Sequence, residues 1–228
     1  MASKFSMYDA LFGDDGEVSA QKAADAGLTV SDISVSELHE FKDHPFLVEQ
    51  NDDMESLSES VRLYGVIEPI LVRPARDGRG YEIISGHRRS TAAKNVGLKQ
   101  VPAIVLDIDD DTATIMMVDA NKKREKYIPS ELAHAFKMRM DACKHQGKFI
   151  DGDDGSTAAI GKDFGASERN VRNYLRLNNL SPELLDLVDS QKLQMGAAVE
   201  LSFLSPDKQE TVLEAYYETA SCLKRHRL

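Results

Sequence analysis

The chain has no tryptophan and only two cysteines, Cys143 and Cys222, neither of which lies in a CxxC or Cys/His spacing. This scarcity excludes a disulfide framework and a zinc ribbon, and it is typical of proteins in a reducing cytoplasm. No run approaches the roughly 18 uninterrupted apolar residues of a membrane span, and the first residues have no signal-peptide pattern. Of the 228 residues, 42% are hydrophobic and 29% charged, a composition typical of folded domains. We therefore expect a cytoplasmic protein with no membrane partner.

Basic residues are scarce at the front of the chain. Residues 1–60 carry 14 Asp and Glu against 3 Lys and Arg, whereas the rest of the chain carries 24 acids and 25 bases. Residues 120–148 alone hold eight bases and three acids. The net charge of −10 therefore reflects an acidic front segment, and it does not exclude a nucleic-acid partner.

The hydrophobic pattern divides the chain into three parts. Residues 1–30 are rich in Asp, Gly, Ala and Ser with weak periodicity, which predicts an acidic, largely mobile leader. Strand and helix signals then alternate until an acidic break at 147–155, after which only helix signals remain. We predict an α+β domain over 31–127 and an all-α domain over 128–228.

Turn and capping residues predict the individual elements of the first domain. Gly65 and Gly97 end helices that begin near Met54 and His87. Pro69 indicates that the run of apolar residues around it is an edge strand or contains a bulge. In chain order we expect a strand at 33–38, a helix at 54–64, strands at 66–72 and 81–84, a helix at 87–96, a strand at 101–108, and helices at 111–120 and 129–145.

The most informative stretch is Ile83-Ile84-Ser85-Gly86-His87-Arg88-Arg89-Ser90, where a buried strand passes through a glycine directly into a helix. The start of a helix presents free N–H groups and the positive end of its dipole, and Gly86 allows a ligand close to the backbone. Arg88 and Arg89 place two cations where cations are unfavourable, so a phosphate would compensate them. Solvation or pairing with Asp or Glu explains the arginines equally well, and His87 can be a simple polar cap.

Asn121 and Arg124 form a second candidate site, since they share one face if the preceding helix continues that far. A neutral oxygen ligand beside a cation is suited to a Mg²⁺–phosphate group, because Mg²⁺ keeps most of its waters. An ordinary basic helix end is the alternative interpretation.

Residues 157–177 have the pattern of two short helices joined by a Gly-Ala-Ser turn, with Ser167 as the N-cap of the second helix. Arginine and asparagine can recognise guanine and adenine edges in the major groove, while Ser167 and Arg176 can hold phosphates. We therefore predict a DNA-binding helix-turn-helix at about 156–180, with Lys123 of the basic stretch as a phosphate contact. A helical hairpin without DNA contacts is the alternative. The polar residues on the outer face of the second helix are Arg169, Asn170, Arg172, Asn173 and Arg176.

Taken in order, these segments resemble the ParB family of DNA-partition proteins, and in detail the ParB-like proteins of mobile elements. The resemblance covers about Ile33 to Leu204 and rests on residues 65–74, the Gly86–Arg89 corner, Asn121 with Arg124, and the helix-turn-helix. It implies an α+β, ParB/sulfiredoxin-like N-terminal domain that binds CTP with Mg²⁺, followed by an all-α helix-turn-helix domain. It also implies a homodimeric clamp on centromere-like double-stranded DNA, a ParA-type ATPase partner, and a location on the nucleoid or a plasmid.

The resemblance also implies roles for single residues. Asn121 would coordinate the metal, and Ala120 stands where the family usually has a Glu associated with hydrolysis, so we expect slow or absent CTP hydrolysis. Asp119 is a poor substitute because it emerges about 100° around a helix. His44-Pro45-Phe46-Leu47-Val48 follows the family's Pro/Arg-rich box only loosely and lacks its arginine. The nucleotide-binding residues implied are Glu68 (where the family usually has Gln), Gly86, His87, Arg88, Arg89, Asn121 and Arg124.

Two other functions remain open from the sequence. A transcriptional regulator would use the same helix-turn-helix with the first domain as a scaffold. A nuclease on the same fold would need clustered carboxylates for metal ions; Asp107, Asp109, Asp110 and Asp111 form such a run, although a solvated turn with helix-capping acids explains it better.

Overall fold

A computed structural model describes residues 20–124, 126–146 and 156–225 of the chain. Most of the predicted leader and all of the acidic break at 147–155 lie outside the described residues. The chain folds as two compact units, which divide after Arg124. The first unit also includes the chain from Met138 up to the acidic break, and the second includes the segment up to Lys137 and everything from Ser156 onwards.

The first unit has the predicted α+β architecture. Its helices and strands are, in chain order, α1 (Ala20–Asp25), β1 (Val30–Ser34), a 3₁₀ turn (Val35–Glu37), β2 (Leu38–His39), α2 (Asp52–Tyr64), β3 (Ile70–Pro74), β4 (Tyr81–Ser85), α3 (His87–Asn95), β5 (Gln100–Val105) and α4 (Asp110–Asp119), with the second half of α5 (Pro129–Gln146).

The five strands form one sheet in the order β1-β5-β3-β4-β2. β3 pairs antiparallel with β4 and parallel with β5, so it is a central strand. The predicted edge strand around Pro69 is therefore wrong: Pro69 has no N–H to donate and precedes β3. The alternative expectation, a bulge, agrees with an irregular register between Leu71 and Val72, just after Pro69.

Helices α2 and α3 pack on the sheet because each has an apolar face. Asn51 caps α2 by accepting a hydrogen bond from the Met54 N–H at 3.1 Å. Met54 and Val61 are buried and lie on the same face of α2. Ala92 and Ala93 of α3 are fully buried in the same core. Their small side chains bring α3 close to the sheet, so the end of β4 and the start of α3 are fixed relative to each other.

The second unit contains only helices among its described residues, as predicted. They are the first half of α5, α6 (Thr157–Asp163), α7 (Glu168–Leu177), α8 (Pro182–Asp189), α9 (Met195–Leu201) and α10 (Pro206–Arg225). Leu177, Leu184 and Ala198 lie in its core together with Ala133 of α5. None of the helices described in either unit is both long and apolar enough to cross a bilayer.

Candidate nucleotide pocket and DNA-reading helix

An open pocket of about 240 Å³ lies in the first unit where β4 meets α3. Three separate segments form its wall: residues 44–48, residues 85–89 and residues 120–124. The lining includes six of the seven predicted nucleotide-binding residues, namely Gly86, His87, Arg88, Arg89, Asn121 and Arg124. Glu68 is the exception, since it does not line the pocket.

Gly86 is required by the backbone at the corner. It has a φ of 98°, a left-handed conformation that side-chain-bearing residues rarely adopt. A Cβ there would also lie 2.6 Å from Ile70 Cγ2, and Ile70 is fully buried. The chain can therefore turn from β4 into α3 only at a glycine, and the first N–H groups of α3 have no acceptor within the helix.

The two arginines of the corner have different surroundings. Arg89 Nη1 donates to the Glu68 carbonyl oxygen at 2.9 Å, to Glu68 Oε2 at 3.2 Å and to the Pro69 carbonyl oxygen at 3.1 Å. Arg88 is exposed, and no hydrogen bond or ion pair from it is found among the described residues. Arg89 therefore holds the loop before β3 as well as lining the pocket. The exposed guanidinium of Arg88 is accessible to an anionic ligand.

His87 stacks on His44 inside the pocket wall, with ring centroids 3.8 Å apart. The Nε2 atoms of both rings are buried and have no hydrogen-bond partner among the described residues. Burial lowers the pKa of His87 to about 3 and that of His44 to about 4, because the charged imidazole is poorly solvated there. Both histidines are therefore neutral at pH 7.

Asn121 and Arg124 lie just beyond helix α4, which ends at Asp119. The helix does not continue as the prediction required, but hydrogen bonds from Asn121 N to Val118 O and from Arg124 N to Asn121 O, both 3.1 Å, continue the chain in 3₁₀-type turns. Arg124 Nη2 donates to the Leu47 carbonyl oxygen at 3.2 Å. Asn121 and Arg124 thus reach the same pocket through a turn.

The donor set near Asn121 fits a metal held mainly by a ligand and water. Asn121 Nδ2 donates to the Met117 carbonyl oxygen at 2.9 Å, so the side chain would coordinate a cation through Oδ1. Among the described residues no carboxylate lines the pocket, and Ala120 is part of its wall. Asp119 is buried, and its carboxylate is bonded to Arg139 and Lys122. These residues suit a Mg²⁺ ion that shares its ligands with phosphate oxygens and water.

Sequence reasoning missed part of the wall. His44, Phe46, Leu47, Val48, Ser85 and Ala120 also line the pocket. The segment 44–48 has no regular secondary structure and therefore no periodic signal. Its weak match to the family's Pro/Arg-rich box was the one available indication.

The acidic run at 107–111 has structural roles. Asp109 Oδ1 accepts from the Thr112 N–H at 2.8 Å and so caps α4. Asp110 pairs with Arg73 at 2.7 Å, and Asp111 Oδ1 lies 3.4 Å from His145 Nδ1. Among the described residues no group of three or more metal-binding side chains is found, so the run does not support a nuclease.

The helix-turn-helix of the second unit has the predicted form. Ser167 Oγ accepts a hydrogen bond from the Asn170 N–H at 3.2 Å and caps α7. The turn lies against Gly161, where a Cβ would come within 2.5 Å of the Ala166 carbonyl oxygen. Val171 and Leu177 of α7 are fully buried. These contacts fix α7 with one apolar face inward.

The opposite face of α7 is polar and accessible. Asn173 is half-buried, and the other members of the predicted set, Arg169, Asn170, Arg172 and Arg176, are exposed. Arg172 pairs with Glu168, whose carboxylate also accepts from the Thr157 hydroxyl at 2.9 Å. The Arg176 guanidinium lies 4.5 Å from the ring centroid of Phe203, a cation–π distance. Lys123 lies in the first unit, exposed, within the Asn121–Arg124 turn.

Comparison with known proteins agrees with this arrangement. The model of the ParB N-terminal domain matches residues 19–122, and that of the ParB HTH domain matches residues 129–225. The probable chromosome-partitioning protein ParB of Coxiella burnetii is 33% identical over 193 residues, which are 85% of this chain and 62% of that protein. The chain therefore spans about three fifths of the length of this relative.

A solved structure gives the same result. A C-terminally truncated ParB from Caulobacter crescentus, complexed to the centromeric parS site, is 26% identical with a TM-score of 0.50, covering 86% of this chain and 99% of that one. The same protein complexed with CTP-γS is 29% identical with a TM-score of 0.40, covering 82% of this chain and 98% of that one. With its ParB N-terminal domain followed by a ParB HTH domain, the chain belongs to the ParB family.

Proposed function

We propose that this chain binds CTP with Mg²⁺ in the Gly86 pocket and a specific double-stranded DNA site through α7, as part of a DNA-partition protein. The observation that carries the proposal is the pocket wall itself: the start of α3, the exposed Arg88 and the Asn121–Arg124 turn line the same pocket. A helix N-terminus with nearby cations is a site for phosphate groups. Membership of the ParB family supports CTP as the nucleotide.

Each residue has a distinct task in this proposal. Gly86 brings the backbone N–H groups of α3 to the phosphates, and Arg88 and Arg124 supply positive charge. Arg89 contributes its guanidinium while holding the Glu68–Pro69 loop. Asn121 offers Oδ1 to Mg²⁺, which would neutralise phosphate charge when bound. His87 and His44, both neutral, can offer their buried Nε2 atoms as hydrogen-bonding groups.

The pocket is proposed as a binding site rather than an efficient hydrolytic one. A general base must reach the attacking water, and Ala120 has no group that can do so. The neighbouring Asp119 is buried and bonded to Arg139 and Lys122, so it does not replace the missing carboxylate. We therefore expect slow or absent CTP hydrolysis.

On DNA, α7 would enter the major groove and Lys123 would contact phosphates. The remaining family properties, a homodimeric clamp on a centromere-like site, a ParA-type ATPase partner and a cytoplasmic location on a nucleoid or plasmid, are part of the same proposal.

Calorimetric titration with CTP and Mg²⁺ tests the nucleotide half. We expect saturable binding that UTP, ATP and GTP do not match, and at least a tenfold weaker affinity in Arg88→Ala, since a charged hydrogen bond contributes about 1.5–3 kcal/mol. Arg79→Ala is the matched control, because Arg79 is an exposed arginine outside the pocket. An absence of heat with CTP, with and without a selected duplex, would refute this half.

A further inference from the structure

Helices α4 and α5 are joined along the first unit by contacts that recur every four residues of α4. The two helices are antiparallel, since residues later in α4 contact residues earlier in α5. The contacts are Asp111 with His145, Ile115 with Ala142 and Cys143, and Asp119 with Arg139. The last of these lies at the end of α4, immediately before the Ala120 and Asn121 of the pocket wall.

The Asp119–Arg139 pair is buried, with 6% of Asp119 and 1% of Arg139 exposed. Arg139 Nε donates to Asp119 Oδ1 at 3.0 Å, and Lys122 Nζ lies 3.1 Å from Asp119 Oδ2. Both carboxylate oxygens are therefore engaged. A buried ion pair is often no more stabilising than a well-packed apolar pair of similar size. The role of this pair is therefore to fix the orientation of the Asp119 carboxylate.

The turn after Asp119 depends on such support. It is held by 3₁₀-type hydrogen bonds, whose geometry is poorer than that of an α-helix. Lys122, in the middle of the turn, bonds to Asp119 through both its N–H (3.1 Å to the Asp119 carbonyl oxygen) and its side chain. Asp119 therefore ties the turn to α4 and, through Arg139, to α5.

We propose that Asp119, Arg139 and Lys122 form a positioning cluster that sets the Asn121–Arg124 turn for the nucleotide. The inference rests on the proposed function, in which this turn contacts CTP and its metal. None of the cluster side chains lines the pocket, so the cluster acts through Asn121 and Arg124.

The double variant Asp119→Leu/Arg139→Met in the full chain separates positioning from folding. Single variants would leave a buried charge without its partner and are expected to unfold. In the double variant the apolar pair refills the same space, and the ammonium of Lys122, whose side chain is partly exposed, can be solvated. We expect its melting temperature to stay within about 5 °C of wild type, while its Kd for CTP rises about tenfold, as expected when two pocket residues lose their alignment. A stable double variant with wild-type affinity would overturn the inference.

Asp111→Asn is the matched control, because Asp111 meets His145 on the same two helices but two turns away from the pocket. It should leave the CTP affinity unchanged. An equal loss of affinity in this control and in the double variant would also overturn the inference, since it would indicate a general effect of loosening the helix pair.

Hydrogen exchange provides a readout that needs no nucleotide. In the free double variant, the amides of Lys122 and Arg124 should exchange about tenfold faster than in wild type, while those in the middle of α4 keep their rates. Unchanged exchange in the turn would overturn the inference whatever CTP does. Accelerated exchange in a chain whose wild type binds no CTP would instead refute the proposed function and leave the structural role of the cluster standing.

Discussion

The proposed nucleotide pocket and the proposed DNA-reading helix are built in opposite ways. The pocket collects three segments that are far apart in the sequence, around residues 44–48, 85–89 and 120–124, and several of its side chains are buried or already bonded. The reading face of α7 lies within one short helix and is mostly exposed. The pocket therefore depends on the fold around it, and the reading face depends mainly on the stability of one capped helix.

This difference determines where a single change should act. In the pocket, a substitution at a buried or bonded residue alters backbone geometry or a hydrogen bond, and it should change stability and binding together. On α7, a substitution of an exposed side chain should change DNA binding and leave the free energy of unfolding nearly unaltered.

The largest effect is expected from Gly86→Ala. The new Cβ meets Ile70 Cγ2 at 2.6 Å in a backbone conformation with φ of 98°, which combines overpacking with backbone strain. We expect a loss of about 2–4 kcal/mol in the free energy of unfolding and loss of measurable CTP binding. Chemical denaturation and calorimetry measure the two quantities on the same preparation.

Gly97→Ala is the control for Gly86→Ala. Gly97 also has a positive φ, 76°, but a Cβ there would have no neighbour within 4 Å, and Gly97 follows the far end of α3. It should lose about 1 kcal/mol of stability from strain alone and keep wild-type CTP affinity. If Gly86→Ala behaved like Gly97→Ala, the close approach of Gly86 to Ile70 would not be required for stability or CTP binding.

The same difference between the pocket and α7 explains which parts of the two sites could be predicted from the sequence. The helix-turn-helix could be predicted because its signals are local: Ser167 begins α7 as a cap, and Val171 and Leu177 recur on its buried face. The Gly86 corner could be predicted for the same reason, since a strand, a glycine and a helix are adjacent in the chain. Local chemistry was sufficient at both places.

The rest of the pocket required tertiary structure. His44 reaches the wall from an irregular segment, and its stacking on His87 joins residues that no periodicity relates. Glu68, a predicted ligand contact, lies outside the pocket lining and pairs instead with Arg89, which is part of that lining. The edge-strand alternative at Pro69 was wrong because strand position in a sheet depends on pairing across the chain, and β3 is central.

The histidine pair provides the second prediction, an acid sensitivity of the first unit. The pKa of His44 is about 4 and that of His87 about 3 in the folded protein, below the ordinary value of about 6.5. The unfolded chain therefore binds protons below pH 6.5 that the folded chain does not bind until about pH 4. Stability is fully present above pH 6.5 and falls as the pH drops towards 4.

His44→Phe measures the contribution of His44 to the pH dependence of stability, because phenylalanine keeps an aromatic ring against His87 but does not titrate. Between pH 7 and pH 5 we expect the free energy of unfolding of this variant to fall by about 1–2 kcal/mol less than that of wild type. Urea unfolding at each pH measures this difference. His134→Phe, at an exposed histidine of α5, should keep the wild-type slope. A wild-type slope in His44→Phe would mean that the ring is solvated.

The smallest effects are expected on DNA, where exposed side chains act one at a time. Arg172→Ala and Asn173→Ala should weaken binding to a selected duplex about tenfold while changing random-duplex binding little, since base contacts contribute about 1–3 kcal/mol of discrimination. Lys123→Ala should weaken both duplexes alike by a few-fold and reduce the salt slope by about one, as expected for a phosphate contact. Fluorescence anisotropy from 50 to 200 mM salt separates the two behaviours.

Arg62→Ala is the matched control for Arg172→Ala. Arg62 and Arg172 are similarly exposed, 61% and 66%, and each pairs with a glutamate of its own helix, Glu59 and Glu168. The two substitutions thus remove the same charge and the same kind of ion pair, and neither should change stability by more than about 0.5 kcal/mol. Because only Arg172 lies on the reading face, only Arg172→Ala should alter site preference. Equal losses on selected and random duplexes for Arg172→Ala, Asn173→Ala and Lys123→Ala would assign all three to phosphate contacts and leave the sequence-reading role of α7 without support.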